Sequence, residues 1–76
     1  MIYKTELRDC SISEVEYNKP EKLIFVHISQ GYRAENDEII FGHYMNFSLE
    51  ESHCKDLIKS LQLALEEYKQ DEKATS

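Results

Sequence analysis

The chain predicts an α+β fold: a three-stranded antiparallel β-meander followed by one C-terminal amphipathic helix packed on one sheet face. Three observations carry this expectation. Residues 2–17, 22–30 and 38–47 are dense in β-branched and aromatic residues in approximate alternation. Segments rich in turn-forming residues, NKPE at 18–21 and GYRAEND at 31–37, separate them. Residues 48–69 repeat apolar side chains at helical spacing. Residues 1–70 therefore read as a single β-β-β-α domain and 71–76 as a polar flexible tail.

The first segment, IYKTELRDCSISEVEY, contains no Gly or Pro. Tyr3, Thr5 and Leu7 share one phase, Ile12 falls out of it, and Val15 and Tyr17 return to it. A bulge or break near Arg8 to Ser11 reconciles the phases. The segment reads as one long bent strand, with two short strands as the alternative. At 18–21, Pro20 presets φ and cannot donate to a ladder, so a hairpin turn follows. KLIFVHISQ is the second and most buried strand. Residues 31–37 form a loop, in which Gly31 supplies freedom and Asn36 and Asp37 make local side-chain turns. EIIFGHYMNF is the third strand, with Gly42 marking a bulge or a close approach of another backbone.

The helix has the clearest signature. At about 100° per residue, Cys54, Leu57, Ile58, Leu61, Ala64, Leu65 and Tyr68 fall in one arc of roughly 120°, the width of a core-facing stripe. Ser48 and Glu51 have the spacing of a capping box at its start. Leu63 stands opposite the stripe, as single exposed leucines commonly do.

Alternation then assigns two sheet faces. Ile24, Val26 and Ile28, with Ile39, Phe41, His43, Met45 and Phe47, should meet the helix stripe. The opposite face carries Leu23, Phe25, His27, Ile40 and Tyr44, too apolar a set for a solvated surface. One helix cannot cover both sides of a sheet. That second face and the loop residues Tyr32 and Arg33, of types enriched at interface hot spots, are the candidate partner-binding residues.

Size and charge bound the function. A chain of 76 residues is one domain, and below about 70–80 residues a single core rarely supplies more than about 3–5 kcal/mol. Fifteen acidic against nine basic residues give a net charge of −6, which argues against direct nucleic-acid binding and favours encounter with a basic protein surface. The polar N-terminus and the lack of a long apolar run point to the cytoplasm. Cys10 and Cys54 are too few for a disulfide scaffold.

Chemistry-bearing patterns are sparse. His27 and His43 fall on opposite faces, and His53 with Cys54 lacks zinc-ligand spacing, so no metal or other cofactor is expected. A Cys54–His43 pair would need the helix start to lie over His43. With two glycines there is no phosphate-binding loop. The resulting expectation is a small non-catalytic interaction module, an inhibitor or adaptor of phage or mobile-element type. Its partner would be a larger basic, nucleic-acid-handling protein, to which it presents carboxylates where phosphates would sit. The alternatives are a homodimer or larger assembly serving as a structural or regulatory subunit, and a small enzyme using His27 with Tyr44 or Tyr17.

Overall fold

The computed structural model describes residues 1–75. It is an α+β fold in which an antiparallel sheet is followed by one C-terminal helix. The sheet has four strands rather than three: β1 (Ile2–Leu7), β2 (Ser11–Asn18), β3 (Leu23–Arg33) and β4 (Ile39–Leu49), paired in chain order as a meander. The helix, α1, spans Glu51–Thr75. It includes residues expected to form the polar tail, of which Ser76 lies outside the described residues.

The fourth strand comes from the first apolar segment. That segment is not one bent strand: it reverses at Arg8–Cys10, and Leu7 pairs with Ser11. Asp9 and Cys10 close the hairpin at φ 61° and 60°, in the left-handed region. Asp visits that region readily, whereas cysteine has no such local advantage. With no glycine in the turn, composition did not mark it. The three turn residues return the chain in phase, so Tyr3, Thr5, Leu7, Val15 and Tyr17 share one face and Ile12 stands on the other.

The second turn follows expectation. Asn18 Oδ1 accepts the Glu21 N–H at 2.9 Å, and Lys22 at φ 56° leads into β3. The third connection is shorter than expected. Gly31, Tyr32 and Arg33 belong to β3, opposite Phe41, Ile40 and Ile39, and only residues 34–38 form the loop. It is closed by Ala34 N–H donating to the Glu38 carbonyl at 2.8 Å and by an Arg33–Asp37 ion pair at 3.7 Å.

One extra residue in β4 is accommodated at Gly42, because Gln30 pairs with His43 but Gly31 pairs with Phe41. This bulge reverses the phase of the strand before it. Ile39 and Phe41 therefore fall on the face opposite Met45 and Phe47, and Ile40 joins Tyr32 on theirs. Those three assignments are corrected. The close backbone approach lies at Gly31, where a Cβ would stand 2.8 Å from the Ile40 carbonyl oxygen; a Cβ on Gly42 would meet nothing within 4 Å.

The helix begins later than its sequence signature. Cys54 N–H donates to the Glu50 carbonyl at 3.0 Å, so Glu50 occupies the N-cap and Ser48 remains in β4 opposite Phe25. The expected capping box does not form. The Glu51–Lys55 pair does, at 3.0 Å, and Glu51 also sits where the helix dipole favours an acid.

The helix packs against the sheet through its first turns only. Cys54 and Lys55 approach Tyr17, Ile24 and Leu49, while Leu57 and Leu61 remain 44% and 64% exposed. Contact of the whole stripe with Val26, Ile28, Met45 and Phe47 does not occur. The reason is the connection: Glu50 alone joins β4 to α1, and a reversal between layers commonly takes two to six residues. Among the described residues no hydrophobic side chain is fully buried. The radius of gyration is 16.0 Å, where a compact chain of this length has about 11 Å. The accessible surface is 6852 Å² for 9.0 kDa, against about 4,900 Å² for a compact monomer.

Candidate protein-binding face

Cross-strand partners share a face, so the register defines the two surfaces. Face one carries Val15, Tyr17, Ile24, Val26, Ile28, Met45, Phe47 and Leu49. Face two carries Glu14 beside His27, Glu16 beside Phe25, and Tyr44 beside Ser29. Of the expected binding residues, the fold unites Leu23, Phe25, His27 and Tyr44 on face two. Tyr32 and Ile40 do not join them, because they pair on face one. Arg33, opposite Ile39, stands on face two at its far end, where it is engaged with Asp37, to whose carbonyl it also donates at 3.4 Å.

His27 is held from both sides. Its Nδ1 meets Asn46 Oδ1, and its Nε2 lies 3.1 Å from Ser29 Oγ. In the neutral tautomer that satisfies both contacts, Nδ1–H donates to Asn46 and Nε2 accepts the Ser29 hydroxyl. The ring stacks on Tyr44 at a centroid distance of 5.8 Å and an interplanar angle of 26°, and Tyr44 OH donates to the Phe41 carbonyl at 3.3 Å. This network organises the centre of face two and engages both ring nitrogens within the sheet. Ser29 beneath it is 8% exposed, the most buried polar residue described.

Beside that centre is an open cleft of about 360 Å³, bounded by Ile2, Glu14, Glu16, Phe25, His27 and Asn46. Glu14 and Glu16 are among the acids of the first apolar segment, and the sequence did not single them out from the other carboxylates. Their common phase was visible, but Ile2 reaches them only because β1 is a separate strand that folds back beside β2. Two carboxylates next to an aromatic ring and an aliphatic side chain fit a cationic side chain with an apolar stem.

The other candidate chemistry is dispersed. His43 pairs with Gln30 near one end of the sheet, while Cys54 lies by Ile24 and Leu49 at the other, so these two do not meet. Cys10 lies with Ser11 and Ile39, far from Cys54, and both are free thiols. Tyr17 is on face one and cannot join His27. Among the described residues, no cluster of three or more His, Cys, Asp or Glu could hold a metal ion. Nor is any described helix long and apolar enough to cross a membrane. Comparison with protein-family models, curated proteins and solved structures yields no match.

Proposed function

We propose that this chain is a protein-binding module, an inhibitor or adaptor, that docks through face two on a basic surface of a larger protein. The observation that carries the reading is the pairing of Glu14 with His27 and of Glu16 with Phe25 across one open cleft. A lysine or arginine head would sit between the carboxylates while its stem lies on Phe25 and Ile2. The net charge of −6 adds long-range attraction to such a partner and raises the rate of encounter. Nucleic-acid-handling enzymes expose basic surfaces of this kind, and the face-two carboxylates would occupy positions that phosphates take.

The test is affinity capture from bacterial lysate with the tagged chain and with a Glu14→Gln/Glu16→Gln double variant, washed at low and high salt. The parent chain is expected to retain a basic protein at low salt and release it at high salt. The double variant is expected to lose it at both. Retention of the same protein by the variant, or recovery of no basic protein by the parent, would remove the reading.

A further inference from the structure

Face one and the helix stripe are two apolar surfaces of one chain, both open to solvent and matched in length. Leu57, Ile58, Leu61, Leu65 and Tyr68 are each between 44% and 64% exposed, and Met45 on the sheet is 58% exposed. From Cys54 to Tyr68 the stripe runs about 21 Å at 1.5 Å per residue. From Leu49 to His43, face one runs about 20 Å at 3.4 Å per residue. Within one chain they meet only at the start of α1, where Cys54 approaches Ile24 and Leu49, because Glu50 provides no loop for the rest of α1 to turn back over the sheet.

We propose that the occupant of each surface is a second copy of this chain. In this two-fold dimer, α1 of each protomer lays its stripe across Val26, Ile28, Met45 and Phe47 of the partner. Area supports the assignment. The surplus over a compact monomer is about 2,000 Å² per chain, or about 4,000 Å² for a pair, within the range of obligate homodimers. One symmetry operation then covers both helices and both sheet faces, as an isologous interface requires. Pairing the two helices alone would leave face one bare. The stripe is also too wide for a two-stranded seam, with three apolar positions in each seven, at Leu57, Ile58 and Leu61 and again at Ala64, Leu65 and Tyr68. This interface uses the surface opposite Glu14 and Glu16, so it extends the docking reading without depending on it.

Two measurements on the full chain test it: light scattering, and isotope-filtered NOE spectroscopy on a mixture of labelled and unlabelled copies. The expected mass is twice 9.0 kDa, with cross-peaks from Leu57, Leu61 and Leu65 methyls of one copy to Val26, Ile28 and Met45 methyls of the other. A single-chain mass at the concentration of the NMR sample overturns the proposal. So does a dimer whose intermolecular cross-peaks join only helix to helix or only face two to face two. Capture of a basic partner is read in a separate experiment, so either idea can fail while the other stands.

Discussion

Gly31 and Ile40 sit so close across β3 and β4 that a Cβ on Gly31 would lie 2.8 Å from the Ile40 carbonyl oxygen. The obstacle is backbone, and Ile39 Cγ2 at 2.9 Å and Phe41 Cδ1 at 3.0 Å close the remaining space. Gly31→Ala should therefore push the bulge apart and cost about 1–3 kcal/mol, the usual range for overpacking. Gly42→Ala, with open space around it, should cost far less. Urea unfolding of both variants at one protein concentration compares them, and equal midpoints would contradict this account.

Cys10 holds φ 60° with no side-chain compensation evident in its hairpin. Glycine adopts that conformation without steric cost, while a left-handed L-residue carries about 1–2 kcal/mol. Part of the gain is lost to the greater freedom of glycine in the unfolded chain. Cys10→Gly should stabilise the protein by up to about 1 kcal/mol, visible as a higher denaturation midpoint. A lower midpoint would mean that the thiol makes packing contacts that outweigh its backbone strain.

The position of the helix cap separates two readings of the same residues. If Ser48 capped the helix, Ser48→Ala would cost about 1 kcal/mol; with Ser48 in β4, the change should stay within about 0.5 kcal/mol. Glu50 is the residue at the cap, and aspartate is a better N-cap side chain of the same charge. Glu50→Asp should stabilise by about 0.5 kcal/mol or more. Calorimetry on the two variants reads both outcomes.

The His27 network predicts a further effect on face two. Asn46→Leu removes the acceptor at Nδ1 of the half-buried His27 residue, a loss of about 0.5–1.5 kcal/mol. The variant should also loosen the Tyr44 ring, which stacks on His27. Chemical unfolding gives the first quantity, and aromatic NMR line shapes of Tyr44 report the second. An unchanged Tyr44 environment would show that the stack does not depend on Asn46.

Much of the fold was legible because local chemistry dictates it. Asn18 and Pro20 made their turn, and the alternation of residues 23–28 placed Ile24, Val26 and Ile28 opposite Phe25 and His27. The misses have local causes too. The Asp9–Cys10 hairpin contains neither glycine nor proline, so the break in phase near it could also be read as a bulge. The bulge at Gly42 was foreseen but its effect on Ile39, Ile40 and Phe41 was not, because phase beyond a bulge depends on which partner residue it opposes. The site was legible in part. Phe25, His27 and Tyr44 followed from alternation, whereas Glu14, Glu16 and Ile2 joined them through pairings between separate strands.

The sequence by itself determined that strands precede one amphipathic helix, that His27 and His43 face opposite ways, and that the chain carries more apolar surface than one helix can cover. These are consequences of periods two and 3.6 along the backbone. Only the tertiary structure decided that the sheet has four strands and that the helix leaves it after its first turns. Strand count depended on two backbone angles at Asp9 and Cys10. The course of the helix depended on the single residue, Glu50, that separates β4 from α1. An apolar stripe states that something must cover it; the length of the connection decides whether the same chain can.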